Sequence, residues 1–257
     1  MGKKRMHWDK NHYYQFLKDG RGQGDGDSYI PWIYVHDFAS KGISTRVLGR
    51  TTGRIHHLLS RNEVYYFYLL DMDPEVTDIR EQFPLRLSET IAIAERFHIR
   101  HPWKQDFYSV LTTDFLISRK DRLQARTIKM SKELDNPRTI EKFQIEAQYW
   151  KEHGVDWKIV TEKQINRDKS RNLQLLASGP LAGEMIPDPV LLAQVRDALI
   201  REIQDDCLPF PEILTVIEEG FCLAPGSTLA VFKDAVLSGT ISLNLDRRIN
   251  MKNPLEV

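Results

Sequence analysis

The segment from Val110 to Met130, V-L-T-T-D-F-L-I-S-R-K-D-R-L-Q-A-R-T-I-K-M, constrains the fold more than any other stretch of the chain. Two apolar, β-branched runs flank the polar Ser118-Arg119-Lys120-Asp121, the pattern of two antiparallel strands joined by a tight turn. With the turn centred near Lys120 and Asp121, Asp114 falls opposite Thr127. The two-residue period of a strand then puts Thr127 and Lys129 on one face, so Asp114, Thr127 and Lys129 converge. Leu111, Phe115 and Ile117 make one side of the first strand apolar, and Val110 and Leu116 the other, which leaves Asp114 partly buried. A buried carboxylate is costly unless a cation or hydrogen-bond donors compensate it, and a lysine or a divalent metal would do so. The alternative is an Asp–Lys pair on a sheet edge, which is worth little.

The elements around this hairpin alternate in type. Val64, Phe67 and Leu70 or Asp71 mark a helix of about three turns. Ser60 and Glu63 precede it as an S-x-x-E capping box, which gives Glu63 a structural job, bonding back to the Ser60 amide. Glu75 to Leu85 reads as a strand ended by Pro84, and a helical pattern follows around Ile91, Ala94 and Phe97. After the hairpin, Asn136-Pro137 starts a helix with Ile140, Phe143, Ala147 and Trp150 at helical spacing. Glu146 flanks that stripe and would pair with Lys142 on a solvated face. Trp157 to Val160 is a short strand and Asp168 to Ala177 a helix. The order implies an α/β fold, a mixed sheet flanked by helices.

At 257 residues the chain can form a main domain and a smaller second one. Its longest apolar run, Val64 to Leu70, is far short of a bilayer span, and M-G-K-K-R-M-H-W-D-K lacks the apolar core of a signal peptide, so a cytoplasmic protein is expected. Cys207 and Cys222 form no close pair, consistent with a reducing compartment. Charge is neutral overall and unevenly placed. Residues 1–60 carry ten Lys or Arg against five Asp, while residues 180–257 carry six Lys or Arg against twelve Asp or Glu. A basic front suits a polyanion and an acidic end suits a protein partner. Residues 1–28 therefore read as a basic, glycine-rich arm or linker, with Arg21, Arg50, Arg54, His56 and His57 as candidates for the DNA backbone.

The composition changes at Ser178-Gly179-Pro180. A first domain over 1–179 and a second over 180–257 are expected, the latter with three helices and a terminal hairpin from Gly239 onward, a small winged-helix-like unit. Its net charge of −6, from the six basic and twelve acidic residues, argues against phosphate contact as its main role.

Taken together, the blocks G-R-G-Q-G-D-G-D-S-Y-I-P-W, T-G-R-I-H-H-L-L-S-R-N-E, D-I-R-E-Q-F-P-L, T-T-D-F-L, I-K and R-T-I-E-K resemble the TnsA family over roughly residues 20–165. These are endonuclease subunits of bacterial transposases that work with TnsB, a DDE transposase, and TnsC, an AAA+ ATPase. The resemblance implies a restriction-endonuclease-like fold of the PD-(D/E)xK type and cleavage of the transposon 5′ ends. It places catalytic roles on Glu63, Asp114 and Lys129, a further acidic position on Glu146, and overrides the capping-box role of Glu63. Thr127 departs from the family pattern, which has a glutamine or acidic residue two before the lysine. A threonine hydroxyl is a poorer ligand, so the expected metal set is Glu63, Asp114 and Thr127, with the Ile128 carbonyl and water in support. All these ligands are oxygens, which favours Mg²⁺, with Mn²⁺ as a substitute. Two other readings stay open at this point: a stand-alone restriction or repair nuclease of the same fold, and a catalytically silent DNA-binding scaffold.

Overall fold

The computed structural model describes residues 8–37, 44–205, 208–252 and 255. They divide into two contact units, Met1–Ile165 and Asn166–Val257. Cys207 lies outside the described residues, and Cys222 is a free, exposed thiol.

The first unit contains α1 (Lys10–Lys18), the hairpin β1 (Thr45–Leu48) and β2 (Ile55–Leu58), α2 (Arg61–Asp71), β3 (Val76–Pro84) and α3 (Leu87–Arg96). A small ribbon, β4 (Trp103–Lys104) and β5 (Phe107–Tyr108), follows, then β6 (Thr112–Arg119), β7 (Leu123–Ile128), α4 (Pro137–Glu152) and β8 (Asp156–Val160). The main sheet has the order β3-β6-β7-β8. The expected hairpin is β6–β7, with Phe115 opposite Arg126 and Leu116 opposite Ala125, and continuing that register one step sets Asp114 across from Thr127. β8 joins β7 in parallel, so the chain must cross over between them, and α4 is that crossover.

Helices cover both faces of the sheet. Leu116 and Ala125 pack in one cluster with Ile93 and Ala94 of α3 and Ile145, Tyr149 and Trp150 of α4. Phe115 and Ile117 alternate with Leu116 and so point the other way, where the Tyr66 ring of α2 packs tilted against Phe115 at a ring separation of 5.8 Å. Both Phe115 and Ile117 are fully buried, each contributing about 1.5–3 kcal/mol of apolar burial.

The buried face of α4 corrects the sequence reading. Ile145, Glu146, Tyr149 and Trp150 point inward, whereas Ile140 is 43% exposed. The helix is turned so that a carboxylate sits in its buried stripe, which an apolar-only pattern does not register.

The N-terminal arm is also folded where it is described. Asp9 caps α1 by accepting from the His12 amide, and Trp8, Phe16 and Trp32 form a small aromatic cluster. Gly22, with φ of 76°, lies so close to Pro84 that a Cβ would clash, so this loop is pinned onto β3.

The second unit begins before residue 180. α5 (Arg167–Ala177) belongs with α6 (Ala182–Met185), α7 (Pro189–Asp205), α8 (Phe210–Gly220) and α9 (Ser227–Leu237), because Leu176 joins Val195, Leu199, Phe210 and Phe232 in one core. No strand forms among the described residues after α9, so the expected hairpin and wing are absent there. Ile241, Leu243, Leu245 and Ile249 instead lay apolar side chains on the helical core, and the Asn172 side chain holds that segment through the Leu245 and Arg247 carbonyls and the Ile249 amide. Among the described residues no helix is long and apolar enough to cross a membrane.

Candidate active site

A cleft of about 440 Å³ opens in the first unit, walled by the start of α2, the ends of β6 and β7 and the inner side of α4. Asp114 sits at its floor. β6 carries it there, and the Ile128 amide of the partner strand donates to its carboxylate at 2.6 Å. Ile128 lines the same cleft.

Glu63 arrives from the first turn of α2. Ser60 caps this helix by accepting from the Glu63 amide at 3.2 Å, as the sequence reading requires. The return bond differs: the Glu63 carboxylate accepts from the Leu59 amide at 2.8 Å, not from Ser60. The side chain lies deep in the cleft wall, only 6% exposed.

Gln82 joins the two acids. Its side-chain amide donates to Asp114 at 3.2 Å and reaches Glu63 at 3.4 Å, while the Thr112 hydroxyl donates to its carbonyl. The ladder between β3 and β6 pairs Glu81 with Phe115 and Phe83 with Thr113 and skips Gln82. There the backbone takes φ of 48°, an uncommon, strained state for a residue with a side chain. Sequence reasoning missed this residue, since a glutamine inside a strand pattern carries no signal of a left-handed φ.

Two carboxylates held this close in a protein wall do not both ionise easily. Burial, and then the charge of Asp114, push the Glu63 carboxyl well above its ordinary range. Burial likewise raises Asp114, against the pull of the Ile128 amide, Gln82 and Lys129.

Glu146 lines the same cleft as this pair. It is 5% exposed and accepts from the hydroxyls of Thr113 and Thr127, and burial raises it to about 7. The expected Glu146–Lys142 surface pair does not form. Thr127 is committed too, donating to Glu146 and accepting from the Trp157 indole at 3.1 Å. Its hydroxyl proton is therefore committed to Glu146. Lys129 lines the cleft with its ammonium 3.0 Å from Glu133, an acidic neighbour that the sequence reading left out.

The basic candidates separate. Arg54 is buried, with its guanidinium on both carboxylate oxygens of Glu81 and on the Ile79 carbonyl. His56 is wholly buried between Thr52 and Glu81. Arg21 is pinned under Phe16 and Tyr34 and paired with Asp37. The expectation that these three face phosphate is corrected, because each is spent inside the protein. His57 is half-buried, with its Nδ1 accepting from the Val35 amide at 3.2 Å, and burial lowers its pKa. Arg50 is exposed.

With this geometry in place, comparison with known proteins gives two matches. The model of the family described as TnsA-like endonuclease, N terminal, matches residues 73–162, a block that contains Gln82, Asp114, Lys129 and Glu146. The Escherichia coli protein named Transposon Tn7 transposition protein TnsA is 34% identical over 235 residues, covering 89% of this chain and 84% of that protein. The chain belongs to the TnsA family. It is a transposition endonuclease, and the TnsA-like block is built on the strands and the crossover helix that surround the cleft.

Proposed function

We propose that this TnsA-family chain is a divalent-metal-dependent endonuclease of the PD-(D/E)xK type, with a restriction-endonuclease-like fold. It cuts the 5′ ends of a transposon, the strand not transferred, while a TnsB-like DDE transposase cuts and joins the 3′ ends. The observation that carries this reading is the pairing of Glu63 and Asp114 through Gln82 in one cleft with Lys129.

The donor set fits a hard cation. Mg²⁺ is commonly held by one or two carboxylates and keeps several waters, and a divalent ion would stabilise two buried acids that oppose each other's charge. Among the described residues no three acidic, His or Cys side chains are placed around one point, so Glu63 and Asp114 would hold the ion with water and the Ile128 carbonyl. Bound there, Mg²⁺ or Mn²⁺ would supply Lewis acidity toward phosphate oxygens and a more acidic water. Gln82 and the Ile128 amide keep the carboxylates in register. Lys129 swings from Glu133 to orient the water and offset charge on the phosphate. Glu146, in the same cleft, braces the Thr127 end of β7 by accepting from its hydroxyl.

The second unit, acidic overall, serves as the docking module for a protein partner, a TnsC-like ATPase. Cleavage of a labelled transposon end, with and without TnsB-like and TnsC-like subunits, tests the assignment. Asp114→Ala and Lys129→Ala should each abolish 5′ cleavage while the protein stays folded. Full 5′ cleavage by either folded variant would overturn this active site.

A further inference from the structure

Among the described residues, Lys142 lines the cleft wall without a counter-ion. One helical turn separates it from Glu146 on α4, and the sequence invites a pair between them. Glu146 turns inward to Thr113 and Thr127 instead. Glu141, its chain neighbour, is taken by Arg138 at 2.5 Å, and Glu133 by Lys129. No hydrogen bond or ion pair reaches Lys142 among the described residues. Its side chain is exposed to solvent, yet the ammonium stands within the concave wall, where surrounding protein and then the nearby Arg138 and Lys129 depress its pKa. Arg61, at the first position of α2, lines the same cleft from the α2 side and is also exposed.

An accessible ammonium kept unpaired beside other cations is unfavourable unless an anion joins it. We propose that Lys142, with Arg61, seats a backbone phosphate of the DNA strand next to the one cleaved at Glu63 and Asp114. The inference rests on the nuclease reading above and names its substrate contact. A phosphodiester oxygen at Lys142 would fix the register of the strand across the cleft, a positioning role that carries no base information.

The test compares Lys142→Met, Lys142→Arg and Arg61→Met with the wild type. Affinity for a fluorescein-labelled duplex is measured in Ca²⁺ over a salt series, and KM and kcat for transposon-end cleavage are measured with Mg²⁺ and the partner subunits. Lys142→Met should weaken binding roughly five- to tenfold and lower the salt slope by about 0.9. KM should rise with little change in kcat, and Lys142→Arg should restore most of the loss. Thermal unfolding should not move, since the side chain is exposed. A wild type that cleaves, together with a Lys142→Met variant of unchanged affinity, slope and KM, overturns this proposal alone. A wild type that neither binds nor cleaves overturns the nuclease reading and this inference with it.

Discussion

The Gln82 side-chain amide lies 3.2 Å from Asp114, and the backbone that delivers it has φ of 48°. The strand gives up a regular ladder position to bring one amide to two acids. Gln82→Gly separates the two effects, because glycine accepts that φ freely and removes a strain of about 1–3 kcal/mol. We expect stability close to wild type, since relief of strain offsets the lost hydrogen bonds, and metal affinity or kcat lower by roughly 10–100-fold, as for other groups that orient metal ligands. Titration of Mn²⁺ by calorimetry beside the cleavage assay checks this. Unchanged Mn²⁺ affinity and activity would leave Gln82 with no part in the site.

Glu81, the residue before it, does a different job. Burial pushes its carboxyl up, but hydrogen bonds from His56 and Arg54 outweigh that and hold it at about 2. A depressed carboxylate contributes stability that is present above its ordinary pKa of 4.5 and is lost as pH falls toward about 2. Glu81→Gln leaves the Arg54 guanidinium buried without its charge partner, which costs about 3–5 kcal/mol. Urea unfolding reads the loss directly. Arg54→Met should likewise lower stability and leave the salt dependence of DNA binding alone; a reduced salt slope in that variant would return Arg54 to the DNA interface.

The cleft acids predict the opposite pH trend in metal-free protein. Burial holds the Glu63 and Asp114 carboxyls above their ordinary values of 4.5 and 3.8 and raises Glu146 from 4.5 to about 7. The folded state then binds more protons than the unfolded state, so their contribution is complete below the ordinary carboxylate pKa and is lost as pH rises through the raised values. In EDTA, the unfolding midpoint of wild type should fall relative to Glu63→Gln between about pH 5 and 8. Mg²⁺ or Mn²⁺ should flatten that difference by favouring the charged form. A wild-type midpoint that tracks Glu63→Gln in EDTA at every pH would show that Glu63 ionises normally.

The residues themselves explain what was legible in the sequence. The β6–β7 hairpin could be read because its apolar runs and polar turn are local, and local patterns fix register. The starts of α2 and α4 were marked by Ser60 and Asn136 as N-caps. Arg54, His56 and Arg21 misled because a basic side chain looks the same in sequence whether it faces solvent or a buried carboxylate. Their partners, Glu81 and Asp37, lie 27, 25 and 16 residues away. The segment after Gly239 alternates as a strand would, yet with no neighbouring strand its apolar residues settle on helices instead.

The proposed division of labour between two active sites predicts the products of the whole reaction. On the function proposed above, Glu63, Asp114 and Lys129 are a hydrolytic set, and the 3′ hydroxyls that attack target DNA would come from another chain. Joining should therefore survive loss of this nuclease. With Asp114→Ala in an otherwise complete complex, the transposon 3′ ends still join to target while the 5′ strands stay attached to the donor. Replication across that branched intermediate fuses donor and target into a cointegrate, where wild type gives a simple insertion. Long-read sequencing of the products distinguishes the two. Simple insertions at the wild-type rate from the Asp114→Ala complex would mean that the 5′ strand is cut by some other active site.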